Sequence, residues 1–140
     1  MKAFITFAVC ISVVLYAAIS LSESDEICCT WINLKHIEGN FPQKIMFHYD
    51  GTYATYKEMV SSKTLSRGTF QITKKWSDSN GDIWYQIIKE DSNKGKQFQL
   101  TKVSQNGRKL EFVCSKENFP REINLKSDSY CNYIRSAIDY

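Results

Sequence analysis

The residues of this chain that could do covalent or proton-transfer chemistry are its cysteines and histidines, five and two among 140 residues. Cys10 lies in an apolar N-terminal leader, which leaves Cys28, Cys29, Cys114 and Cys131 in the remainder. An even number of cysteines in an exported chain reads as two disulfides. Bridging the neighbours Cys28 and Cys29 would close a strained ring. Two connectivities stay open: Cys28–Cys114 with Cys29–Cys131, or Cys28–Cys131 with Cys29–Cys114. Either staples the N-terminal segment to the C-terminal region and, in a chain-entropy picture, contributes about 3–5 kcal/mol per long loop closed. Adjacent cysteines do not give the spaced chelate of a zinc knuckle, and neither His36 nor His48 sits in a finger pattern, so no metal or cofactor is expected. Cysteines consumed in disulfides are not nucleophiles.

General acid–base chemistry requires two groups converging on one substrate. The available set is His48 and His36 with an acid such as Glu58 or Glu111, residue types also used by small secreted ribonucleases. Nothing in the sequence brings His36 beside His48. There is no Gly-x-Ser-x-Gly elbow, phosphate-cradling glycine loop or His-Glu-x-x-His pair. A secreted hydrolase or nuclease is therefore the third of three readings, with His48 as its first candidate. Trp76 and Trp84 flank a polar loop and could present an amphipathic surface to a protein target, as a secreted effector or inhibitor would.

The elements that must hold these residues begin after the leader. Lys2 is followed by an uncharged apolar run from Ala3 to Ile19, then by small residues at Ala18, Ser20 and Ser22, and then by the acids Glu23, Asp25 and Glu26. This is the pattern of a signal peptide over 1–22, cleaved after Ser20 or Ser22, and it implies a secreted protein with no membrane anchor after cleavage. Residues 23–140 then form one domain, long enough for a single core. The net charge of +3 is scattered, which disfavours nucleic acid as a partner.

Short apolar-alternating stretches separated by turn dipeptides run through this domain. Trp31–Leu34 reads as a first strand. Asp50-Gly51 reads as a two-residue turn between strands 44–49 and 52–57, which would place Ile45, Phe47, Tyr49, Thr52, Ala54 and Tyr56 on the core face and Met46, His48, Tyr53 and Thr55 opposite. Strands follow over Gly68–Lys74, Ile83–Lys89, Gln97–Val103 and Arg108–Cys114. Asn106-Gly107 sets Lys102 opposite Glu111, Val103 opposite Leu110 and Thr101 opposite Phe112. Tyr130, Ile134 and Ile138 recur at a spacing of four, which favours a short C-terminal helix capped by Ser127 or Asp128. The fold class is all-β: an antiparallel meander that curls into a small barrel to remove its edges.

The early Trp31, the aromatic-rich meander and the cysteine near the tail resemble the lipocalin, or broader calycin, barrels, although Cys29 stands where that family usually has a glycine. The resemblance implies that Trp31 closes the barrel floor and that Phe47, Tyr49, Tyr56, Phe70, Tyr85 and Phe112 face an interior ligand site. The first reading is thus a secreted, disulfide-stapled β-barrel that binds a small apolar ligand without turning it over. An extracellular protein partner is the alternative.

Overall fold

The computed structural model describes residues 25–33, 42–58 and 63–137. The leader, Leu34, His36 and Ile138 lie outside them. Eight strands follow one another: β1 (Thr30–Ile32), β2 (Lys44–Phe47), β3 (Thr52–Tyr56), β4 (Thr64–Ser77), β5 (Ile83–Asp91), β6 (Gly95–Ser104), β7 (Lys109–Ser115) and β8 (Cys131–Arg135). Each pairs antiparallel with its sequence neighbour, and β8 returns to pair with β1, so the meander closes into a barrel.

The β6–β7 hairpin has the predicted register, with Lys102 opposite Glu111, Val103 opposite Leu110 and Thr101 opposite Phe112. The β2–β3 hairpin does not. Phe47 pairs with Tyr53 and Ile45 with Thr55, one residue away from the register that a two-residue Asp50-Gly51 turn imposes. His48 N–H donates to the Thr52 carbonyl, Gly51 N–H donates to the His48 carbonyl, and Gly51 has φ +83°. Tyr49, Asp50 and Gly51 therefore form a three-residue loop with its glycine in the left-handed region. A slip of one residue exchanges the faces of β3. Tyr53 and Thr55 point inward, and Ala54 and Tyr56 outward.

The tail also departs from expectation. Residues 131–135 form a strand, not a helix, and no helix occurs among the described residues. The four-residue spacing of Tyr130 and Ile134 yields to alternation, with Cys131 and Tyr133 buried and Ile134 exposed. Pairing with β7 on one side and β1 on the other satisfies this strand's backbone and removes both edges of the sheet, a gain that no isolated helix could match.

Opposite residues of antiparallel neighbours share a face, so the interior can be traced around the wall. At the end where β5 begins, Trp31, Ile72, Tyr85, Ile87, Val103, Leu110 and Tyr133 are 0–2% exposed and form a solid core. The lead-in to β1 crosses this floor. The Tyr85 hydroxyl donates to Asp25 (2.9 Å), Lys75 lies 3.8 Å from the same carboxylate, and the Trp31 indole N–H donates to the Ile27 carbonyl (3.0 Å). Trp31 is thus fully buried in the core and tied to the segment that precedes β1.

All four described cysteines are free thiols, so neither expected disulfide connectivity is present. Strand register explains the discrepancy. Trp31 lies opposite Arg135 and Ser136 N–H donates to Thr30, which sets Cys29 level with Ala137. From there to Cys131 is about 20 Å along β8 at the usual strand rise. A disulfide needs Cα atoms within about 7 Å, and Cys114, beyond Cys131 at the level of Ser129, is further still.

Candidate functional site

The opposite end of the barrel, where β2, β4, β6 and β8 begin, is not filled in this way by the described residues. It holds a cavity of about 720 Å³, within the size range of small-molecule sites. Ile45, Phe112, Tyr133, Cys131 and Pro42 make much of its apolar wall. Tyr133 is held in place by stacking on Phe112 (5.9 Å between ring centres) and by donating its hydroxyl to the Pro42 carbonyl (2.7 Å). Beneath the cavity, Gln99 and Thr101 are fully buried and bonded to each other at 2.6 Å, and the Cys114 thiol is 3.6 Å from the Gln99 carbonyl oxygen.

Five charged side chains border this space: Lys57, Lys94 and Asp128 are exposed and Asp91 is half-buried, whereas Lys89 is buried within the wall. The inward series on β5 runs Ile83, Tyr85, Ile87, Lys89, Asp91, so period-two alternation turns a lysine into the barrel. Lys89 is 8% exposed, and its Nζ lies 5.3 Å from the centres of both the Tyr53 and Phe112 rings. No carboxylate among the described residues comes within 4.0 Å of it. Asp91, two residues further along the same face, accepts hydrogen bonds from the Tyr53 hydroxyl (2.7 Å) and from the N–H groups of Asn93 (2.8 Å) and Lys94 (3.1 Å).

Burial alone would raise the Asp91 pKa, but its bonds from Asn93, Tyr53, Lys94 and Ser66 together outweigh that effect and hold it below its ordinary 3.8. The sign for stability follows. A carboxyl that ionises more readily in the fold than in the unfolded chain stabilises the fold above the unfolded value, and this stabilisation is lost as pH falls through the lower folded value. Asp91→Asn is therefore expected to be less stable than the native protein near neutral pH and to lose less stability between about pH 5 and pH 3. Urea titrations across that range check the difference.

Burial makes Cys28, Cys114 and Cys131 poor nucleophiles. Burial, followed by the neighbouring Asp25, pushes Cys28 up to about 11. Burial, followed by Cys114, pushes Cys131 up to about 12, and Cys114 is raised by burial as well. Cys114 and Cys131 face the cavity from adjacent strands, whereas Cys28 and Cys29 border a separate hollow at the other end, beside β1 and the β2–β3 loop.

Of the six interior candidates, Phe47, Phe70, Tyr85 and Phe112 face inward and are 0–5% exposed. Phe112 borders the cavity. Phe47 and Phe70 pack edge to face at 5.1 Å in the core, and Tyr85 is committed to the floor. Tyr49 is 49% exposed in the hairpin loop, and Tyr56 is half-buried on the outer face beneath the Lys44 ammonium (4.2 Å). The slipped hairpin register displaces both. It also puts Tyr53 and Thr55, assigned to the outer face by the sequence pattern, at the cavity. Lys89 is legible in the sequence as the next alternate residue after Ile83, Tyr85 and Ile87 on the expected strand 83–89.

The described members of the acid–base set, His48, Glu58 and Glu111, are not brought together. His48 and Glu58 are exposed. β8 and β1 separate the Glu111 strand from β2, which His48 follows, and Glu111 is bonded to the Tyr130 hydroxyl (2.8 Å) and paired with Lys109 (3.6 Å). Trp76 and Trp84 form a cross-strand stack on the outer wall (6.0 Å, 10° between planes), with Lys74 and Lys102 over their rings. No protein-family model, curated protein or solved structure matches this chain.

Proposed function

We propose that this protein is an exported, non-enzymatic binding protein that holds a small, largely apolar ligand in the cavity of its barrel. The observation that carries the reading is the cavity of about 720 Å³, whose wall combines apolar and aromatic side chains with polar and charged ones above a solid floor. An eight-stranded barrel is just wide enough to hold one small ligand, and the closed antiparallel meander is an architecture that lipocalins share. The leader over 1–22 supports export. The stacked Trp76 and Trp84 support a second reading, contact with an extracellular protein through the outer wall, which would leave uptake into the cavity unchanged.

Native mass spectrometry of the chain expressed from its full precursor and purified from the medium without detergent tests the first reading. The expected result is a chain beginning at Leu21 or Glu23, with an added mass that organic extraction removes, and saturable uptake of an apolar fluorescent probe after extraction. An unoccupied chain that takes up no probe would overturn the proposal.

A further inference from the structure

We infer that the ligand of this cavity carries an anionic group, of which a carboxylate is the simplest, and that Lys89 binds it. The inference rests on the cavity reading above and narrows it to acidic amphiphiles. Taking an ammonium out of water is costly unless a counter-ion or hydrogen-bond acceptor replaces the lost hydration. Elsewhere that replacement is visible: Lys75 has Asp25, Lys102 has Asp82 and Lys109 has Glu111. Lys89 is as a residue more deeply buried than any of these three and, among the described residues, has two aromatic faces in place of an acid, while its ammonium is not fully enclosed and opens on the cavity. Such faces attract a cation but replace its water only in part.

The acid nearest in sequence on the same face cannot take that role without giving up its own partners. Both carboxylate oxygens of Asp91 are engaged, one by the Tyr53 hydroxyl and the other by two loop N–H groups. The Tyr53 ring lies beside Lys89 while its hydroxyl is bonded to Asp91. The ammonium is thus left facing a space large enough for a ligand, with Ile45, Tyr133 and Pro42 lining the same space. A molecule with an acidic head and an apolar body satisfies both parts of this wall. A wholly apolar occupant would further desolvate Lys89 and offer nothing in return.

The test compares dodecanoate, dodecanol and dodecylammonium as competitors of an apolar fluorescent probe, on the extracted mature protein near neutral pH. In the native protein dodecanoate is expected to compete at least tenfold more tightly than dodecanol, about the size of one charge-assisted hydrogen bond, with dodecylammonium weakest. Lys89→Gln should remove the preference for dodecanoate and leave dodecanol largely unchanged, while Lys89→Arg retains the preference. Equal competition by dodecanoate and dodecanol in the native protein would overturn the inference yet leave the cavity reading standing. This arm needs no variant to fold. A preference for dodecanoate that persists in Lys89→Gln would overturn the role of Lys89. Failure of all three compounds, together with failure of the probe, would instead overturn the cavity itself.

Discussion

Gly68→Ala is expected to lower the stability of the barrel by about 3 kcal/mol or more, the upper end of what overpacking a core costs. Gly68 lies on β4 between Tyr53 on β3 and Asp91 on β5. A Cβ built there would stand 2.0 Å from the backbone carbonyl oxygen of Glu90 and 2.9 Å from the Cε1 and hydroxyl oxygen of Tyr53. The tyrosine could swing aside, but the Glu90 carbonyl belongs to the strand paired with this one and moves only if β5 moves with it. Restricting the unfolded chain would return at most about 1 kcal/mol, which does not decide the sign. The neighbouring exposed Thr69→Ala should change stability by no more than about 0.5 kcal/mol. Urea unfolding of the two variants checks the contrast. Equal midpoints would mean that β4 and β5 are not packed as closely as described. Because Tyr53 both shields Lys89 and bonds Asp91, whatever fraction of Gly68→Ala still folds should also bind dodecanoate less tightly.

Trp31→Ala is expected to cost about 3–5 kcal/mol, the range for deleting a large buried aromatic side chain. That is a large part of the 5–15 kcal/mol by which domains of this size are usually stable. Trp31 is fully buried, and its indole N–H is bonded to the Ile27 carbonyl. The substitution therefore empties volume in the core and unties the segment that lays Asp25 against Tyr85 across the floor. Trp31→Phe keeps most of the packing and loses the bond, so it should fall well short of the alanine variant, by an amount that urea midpoints resolve. A Trp31→Ala protein as stable as the native one would show that the floor is held by other contacts.

What the sequence made legible depended on whether a local signal had a competitor. The β6–β7 register followed from Asn106-Gly107 together with matched partners on both strands, Lys102 with Glu111 and Val103 with Leu110, so turn and cross-strand pairs pointed to the same pairing. At β2–β3 the turn dipeptide allowed a two- or a three-residue loop, and these differ by one residue in register. Closure of the barrel chose between them, since only the observed register puts Tyr53 and Thr55 on the inner face with Phe47 and Ile45. The strand at 131–135 was hidden for a similar reason. Its helical spacing was a local preference, whereas its strand partners β7 and β1 lie far away in the sequence.

By itself the sequence determined an all-β chain of short strands joined by tight reversals, with a set of aromatic residues sufficient for a core. Those properties are written in alternation, turn chemistry and composition, which are local. Only the tertiary structure decided that the four described cysteines lie at two ends of a barrel, that one end is solid and the other holds a cavity, and that Lys89 meets two aromatic rings and, among the described residues, no acid at ion-pair distance. Each of these depends on which residues from distant strands become level with one another. That is fixed by the accumulated register of eight paired strands, and a shift of one residue in any pair would have given a different site.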